Sequence, residues 1–379
     1  PFSRFMPDAS SQVAEAMRRN DFGMLVEIGM LMVKSGEVGD AVMLLQQACV
    51  VKPGHEDMVV HLMLAELATD TTERIKHANR YTELRPDDPY GWLQLGNFCN
   101  HADDIEAALE AYSRGTAADP SEYRLVTSCC RMLSKLDRED EAFEIACAGV
   151  ASGALHDSWQ LPPHLVRGLS AHAWRDDVQE WRVARVLEAN FDMIRAEVMA
   201  TIENGSLLQE GTEDTEGLLR SGRWTELNLI FQGVTQSPNS TLCPKTVALI
   251  EREIPEAASM VRGAVKLSVL TPGTVVRPHH GPSNTRMRVH LGIRIPAGAY
   301  IRAGDPSEPS NVRQWQEGRV LCFDDSFRHE VWHQGSEPRI ILIVDVWHPE
   351  MDHRSRLNAC DGEHQRQVYL ARCGSGKDT

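Results

Sequence analysis

The sequence predicts a two-part α+β chain, a run of helical repeats followed by a β-rich domain of the sandwich, jelly-roll or barrel type. Three observations carry this. Pro53, Pro86 and Pro120 end helical segments at intervals of 33 and 34 residues. From Gly263 the apolar period changes from that of a helix to two. The β-like runs are short and closely spaced, with turn residues between them.

Size and charge bound what such a chain can be. Its 379 residues suggest two or three domains, and 42% hydrophobic with 25% charged residues is ordinary globular composition. A net charge of −15 argues against a general nucleic-acid binder, because no basic excess exists to neutralise phosphates. The nine cysteines are scattered without a C-x-x-C pair, which argues against structural zinc or a dense disulfide framework. The odd count leaves at least one thiol unpaired within the chain. No apolar run approaches a bilayer span, and "PFSRFMPDASS" has no apolar signal core. The chain starts without an initiator Met, so an upstream leader or anchor stays open.

Residues 1–152 are expected to be helical. The proline interval is the tetratricopeptide period. In "GWLQLGNFCNHADDIEAALEAYSRGTAADP", Trp92, Leu95, Gly96, Ala108, Tyr112 and Pro120 stand where that repeat wants them. An earlier unit matches at Gly29, Ala41, Leu45, Ala48 and Pro53; one ending at Pro86 is weaker, and Ala142 and Ala146 suggest another. Small residues there let paired helices approach, and neighbouring repeats bury one another's apolar faces. Generic helical hairpins are the plainer alternative.

The second domain is placed at 153–355, with a helical lead-in at 153–262, a β core at 263–350 and a polar tail at 356–379. "WRVARVLEANFDMIRAEVMATI" reads as one long amphipathic helix. "AVKLSVL", "RMRVHLGIRIP", "AYIRAG", "RVLCFD", "HEVWHQ" and "RIILIVDVWH" read as strands.

Two residue types in this domain could carry chemistry. His279 and His329 lie 50 residues apart at strand edges, one early and one late. In a closed β architecture such positions can converge, which is the layout of non-haem iron oxygenases. Each could equally be a structural histidine, and His280, His333 and His353 are read that way. Arg286, Arg288 and His290 alternate with Met287, Val289 and Leu291, so one strand face carries two cations and a histidine. That face is either solvated or, if interior, in need of an anion. Arg339 opens an otherwise apolar strand and could clamp a carboxylate bidentately.

"PHHGPSNTRMRVHLG", "FDDSFRHEVWHQ" and "RIILIVDVWHPE" closely resemble the catalytic domain of aspartyl/asparaginyl β-hydroxylases, a family of Fe(II)- and 2-oxoglutarate-dependent oxygenases. The resemblance runs from about Gly168 to Glu350, through "SGRWTELNLIFQG" and "CPKT", and a preceding tetratricopeptide region also matches the animal members. It implies a double-stranded β-helix (jelly-roll) fold. Its expected cofactors are Fe(II), 2-oxoglutarate and O2. The implied reaction is hydroxylation of the β-carbon of Asp or Asn in a peptide or protein, with release of succinate and CO2. The repeats would help to hold that partner. The same chemistry on a lipid or small molecule, or a non-catalytic repeat scaffold, are the alternatives. Residue by residue, the resemblance makes His279 and His329 the iron ligands. It makes Ser268 and Arg339 the contacts to the distal carboxylate of 2-oxoglutarate, Arg288 and His290 further co-substrate contacts, and Arg286 a substrate contact. Gly281 stands where the wider superfamily has a carboxylate, as it does in this family, so a water, or less readily Asp324 or Asp325, would complete the iron site. Only Cys243 remains of a cysteine pair found in the animal enzymes. The compartment stays open, the endoplasmic reticulum lumen if like those members and otherwise the cytoplasm.

Overall fold

The computed structural model describes residues 9–53, 58–205, 211–214 and 217–373. The chain divides into two compact units, Pro1–Ser158 and Trp159–Thr379. The division lies past the expected boundary at 152 because Leu155 folds back onto the preceding helix, its N–H donating to the Gly149 carbonyl at 3.1 Å.

The first unit is helical. Its described helices are α1 (Ala9–Arg19), α2 (Phe22–Ser35), α3 (Val38–Val51), α4 (Met58–Leu67), α5 (Thr71–Leu84), α6 (Pro89–His101), α7 (Ile105–Ala118), α8 (Tyr123–Lys135) and α9 (Glu139–Ala151). The prolines act through the residue before them. Lys52, Arg85 and Asp119 end α3, α5 and α7 at φ −141°, −134° and −141°, away from the helical region that a following proline disfavours. Asp21, Asp70, Asp88 and Asp104 start α2, α5, α6 and α7 by accepting a backbone N–H. The small residues mark close approaches. A Cβ on Gly96 would lie 2.4 Å from the Tyr112 ring, and one on Gly115 would lie 2.9 Å from the Trp92 Cβ.

The second unit opens with irregular chain and then α10 (Arg182–Ala189) and α11 (Phe191–Glu203). The single helix expected here breaks at Asn190, which takes φ −109°, ψ 16° while its side-chain amide donates to the Val186 carbonyl. Four strands follow inside the stretch expected to be helical: β1 (Thr212–Glu213), β2 (Leu219–Ser221), β3 (Trp224–Phe231) and β4 (Val234–Thr235). The signal was present in β3, where buried Thr225, Leu227 and Leu229 alternate with less buried neighbours. After α12 (Pro244–Glu253) and α13 (Pro255–Ala258) come β5 (Ala264–Leu270), β6 (Val275–His279), β7 (Arg286–Arg294), β8 (Ala299–Ala303), β9 (Val312–Arg313), β10 (Val320–Phe323), β11 (His329–His333) and β12 (Arg339–Trp347). They form two antiparallel sheets, β1-β3-β5-β12-β7-β10 with β4 on β3, and β2-β6-β11-β8-β9.

The larger sheet has two differently buried faces. Leu267, Val289, Leu291, Leu342 and Val344 pack with Val183, Leu187, Ile194 and Ile250 of the helices. On the other face, Phe323, Ile341 and Ile343 pack with Ala299, Ile301 and Ala303 of the second sheet. Alternation places Ser268, Arg286, Arg288, His290, Arg339 and Asp345 on this inter-sheet face. The expected polar tail is instead helical, in α14 (His353–Asn358) and α15 (Gly362–Cys373). Tyr369 accounts for it: it is 1% exposed and its ring stands edge-on to Trp347. Residues 374–379 of that tail lie outside the described residues. Among the described residues no helix is long and apolar enough to cross a membrane.

Candidate active site

His279 closes β6 and His329 opens β11, and the two are direct cross-strand partners. Their rings stand 4.0 Å apart between centroids. Each Nδ1 faces a carbonyl two residues earlier, His279 that of Arg277 at 2.8 Å and His329 that of Phe327 at 2.9 Å. A carbonyl only accepts, so Nδ1 carries a proton in both rings, and the neutral form of each has its lone pair on Nε2. Burial, and then the neighbouring His279, hold His329 well below the usual imidazole range, so it is neutral. Two imidazoles with one nitrogen of each already oriented by a carbonyl are a donor set that suits a first-row metal ion. Among the described residues no group of three His, Cys, Asp or Glu side chains is arranged to hold a metal, so this donor set has two protein members.

Gly281 explains why no side-chain carboxylate joins them. A Cβ there would lie 2.4 Å from Asp325 Oδ2, and the Gly281 N–H donates to the Asp325 carbonyl at 2.6 Å. The Asp325 carboxylate already fills that space. Asp325 itself is committed elsewhere: Arg286 grips it through Nε at 3.2 Å and Nη2 at 2.6 Å, and Arg288 Nη1 adds a contact at 3.1 Å. Asp324 accepts from Ser326 and Gln160, which orders the turn before His329.

The basic face of β7 therefore finds most of its anions within the chain. Asp345, opposite Arg288 across the β7–β12 pairing, takes two bonds from it at 2.9 and 3.1 Å. Two arginines and two fully buried aspartates make a neutral cluster, and both aspartates are held below the usual carboxylate range by the adjacent arginines against their burial. The anion that this interior face was expected to need is supplied within the chain for Arg286 and Arg288, by Asp325 and Asp345.

Arg339 differs. It is 3% exposed, and among the described residues no carboxylate lies within ion-pair distance of it. Its guanidinium lies 5.0 Å from the Trp315 ring and 3.5 Å from Ser268 Oγ, and its Nε has no partner. Burial pulls it down to about 9 against the attraction of Glu226, a carboxylate that is itself paired with Lys266. Ser268 Oγ also accepts from Trp224 Nε1 at 3.0 Å, which leaves its own proton to donate.

The remaining histidines separate by environment. His333 meets the Glu337 carbonyl at 2.7 Å, His348 the Ser170 carbonyl and His353 the Tyr369 hydroxyl, each a structural contact. His280 is enclosed beside the Trp159 carbonyl, and burial brings it to about 3. Sequence reasoning missed Asp345, Trp224 and Trp315. A lone aspartate in the apolar run "RIILIVDVW" was the available signal for the first; nothing local marked the tryptophans.

A helical unit thus precedes a two-sheet β unit that brings two histidines face to face. Residues 188–349 match the family model Aspartyl/Asparaginyl beta-hydroxylase, and the chain carries a domain of that family. Human aspartyl/asparaginyl beta-hydroxylase is 38% identical over 221 residues, 57% of this chain and 28% of that protein. Aspartate beta-hydroxylase domain-containing protein 2 of Xenopus tropicalis is 41% identical over 172 residues, 44% of each chain. The ornithine lipid ester-linked acyl 2-hydroxylase of Rhizobium tropici is 30% identical over 175 residues, 44% of this chain and 57% of that one. The chain thus spans well under two thirds of each of these relatives. Among solved structures, a crystal structure of MamA superposes at a TM-score of 0.33 with 17% identity, covering 38% of this chain and 85% of that one.

Proposed function

We propose that the second unit is an Fe(II)- and 2-oxoglutarate-dependent dioxygenase that hydroxylates the β-carbon of Asp or Asn in a peptide or protein. The observation that carries it is the facing pair His279–His329, both with Nδ1 on a carbonyl, in one interior with the acid-free Arg339. The strand alternation, β5, β7, β10 and β12 in one sheet and β6, β8, β9 and β11 in the other, supports a double-stranded β-helix. Three helix pairs with glycine at their close contacts, α2–α3, α6–α7 and α8–α9, support a tetratricopeptide-like first unit, which we assign to holding the protein substrate.

Bound iron with 2-oxoglutarate supplies the oxidant that places one oxygen atom of O2 on carbon while the co-substrate becomes succinate and CO2. His279 and His329 offer Nε2 to the metal, their rings held by backbone carbonyls. Arg339 and Ser268 receive the distal carboxylate, a bidentate cation beside a hydroxyl donor in a dry setting. His290 and Arg288 would face the metal-chelating end, Arg288 while keeping its bonds to Asp345 and Asp325. Arg286 is assigned to an acidic substrate group, which it meets by sharing its guanidinium with Asp325. These side chains bind and orient, which is the part of such catalysis a protein supplies.

The test is 2-oxoglutarate turnover by the Fe(II)-loaded protein with candidate Asp/Asn peptides, followed by mass spectrometry. Addition of one oxygen atom at an Asp or Asn is the expected result. Absence of both metal binding and turnover in the full chain would end the enzyme reading. The likeness to the lipid acyl 2-hydroxylase favours a second reading, the same chemistry on an acyl chain, and turnover without any peptide product would select it.

A further inference from the structure

Trp315 touches two of the residues assigned to the co-substrate. Its indole Nε1–H donates to His290 Nδ1 at 3.1 Å, and its ring face carries the Arg339 guanidinium at 5.0 Å. It is 3% exposed, in the loop after β9. That loop is pressed onto β7 at Gly292: the Gln316 carbonyl lies 2.2 Å from where a Cβ would stand, and Gly318 N–H donates to the Gly292 carbonyl at 2.9 Å. Only glycine permits this approach, and it sets Trp315 beside His290, two residues earlier on the same strand.

An indole N–H is a donor only, so His290 Nδ1 must present its lone pair. In a neutral imidazole the proton then sits on Nε2. That atom is buried and has no acceptor among the described residues. His290 is thus the reverse tautomer of His279 and His329, in which carbonyls place the proton on Nδ1 and leave Nε2 as the electron donor. The three interior histidines are sorted by their partners: two into metal ligands, one into a hydrogen-bond donor.

We propose that Trp315 is a positioning residue that locks His290 with its proton on Nε2, aiming that N–H at an anionic oxygen of the bound 2-oxo acid while its ring braces Arg339. This rests on the dioxygenase reading for the identity of the ligand, but not for the tautomer. It also excludes His290 as a third metal ligand, since a protonated Nε2 cannot bind a metal and Nδ1 is occupied by the indole.

The experiment uses the full chain labelled with 15N-histidine, with the His290 signals assigned by difference from His290→Asn. In the wild type, the nitrogen shifts of His290 should show Nε2 protonated and Nδ1 unprotonated. In Trp315→Phe, which keeps a ring under Arg339 but removes the N–H, His290 should pass to a mixture of tautomers or to the Nδ1-protonated form. Affinity for 2-oxoglutarate, titrated calorimetrically into the Mn(II)-loaded protein, should fall by roughly tenfold or more, the usual cost of a lost hydrogen bond to a charged group. A wild-type His290 protonated on Nδ1 overturns the proposal without any variant. So does a Trp315→Phe protein with the tautomer unchanged and affinity within about twofold of wild type. A wild type that binds no 2-oxoglutarate would refute the dioxygenase reading instead, while the nitrogen shifts still decide the role of Trp315.

Discussion

The two units bury different things. In the helical unit the close contacts are steric and apolar: Gly96 under Tyr112, Gly115 under Leu125 and Trp92, with Ala41, Ala108 and Ala146 fully enclosed. Between the two sheets of the β unit the buried residues include two arginines, Arg286 and Arg339, two paired aspartates and two histidines, His290 and His329. Buried ion pairs are weak contributors to stability, because desolvation offsets much of their attraction. Apolar fit suffices for a repeat. A charged interior signals a requirement other than folding, and Arg339, without an ion pair among the described residues, is where we propose that a ligand completes the balance.

The comparison can be broken or sharpened by substitution, and the largest effect is expected at the metal pair. His329→Ala should abolish 2-oxoglutarate turnover and stoichiometric metal binding while the helical unit keeps its helicity by circular dichroism. Turnover near the wild-type rate would remove His329 from the site. Arg339→Ala should raise the 2-oxoglutarate concentration needed for half-maximal turnover by roughly a hundredfold, a charge-assisted bidentate contact being lost. Arg339→Lys should recover only part, lacking the planar fork. An unchanged requirement would refute the clamp.

Next comes the neutral cluster. Asp345→Ala leaves two arginines with one acid and should destabilise the β unit by about 3–5 kcal/mol, read from denaturant unfolding. Gly96→Val should unfold the repeat unit at lower denaturant by about 1–3 kcal/mol, since its branched side chain meets the Tyr112 ring. Turnover on a short peptide should then stay within about twofold of wild type. A collapse of turnover would show that the units are energetically one.

The smallest effect is a pH slope. Burial raises Asp324 from 3.8 to about 7. Between those values the folded chain retains a proton that the unfolded chain has lost, so stability falls as pH rises through the window. Asp324→Asn cannot ionise and should flatten that part of the melting temperature against pH. An equal slope in both proteins would place the titration elsewhere.

Much of this was legible in the sequence for physical reasons. Proline restricts the residue before it, so the 33- and 34-residue intervals marked real helix ends. Strict alternation marked β7, and a histidine at each edge of its strand marked His279 and His329. The strands β1–β4 escaped notice because they lie in a stretch whose flanks are helical. The C-terminal helices escaped notice because a single buried ring, Tyr369, decides them.

The sequence by itself determined the helical repeats, the β runs, the two candidate ligands and the basic strand face, since each follows from local geometry and residue period. Tertiary structure alone decided the charge balance. Asp325 and Asp345 lie 39 and 57 residues from the arginines they neutralise, and the Asp325 carboxylate stands where a side chain at Gly281 would have been. It also decided which nitrogen of each histidine bears the proton. A tautomer is set by what the other nitrogen touches, and for His290 that is an indole reached only through the turn of the chain after β9.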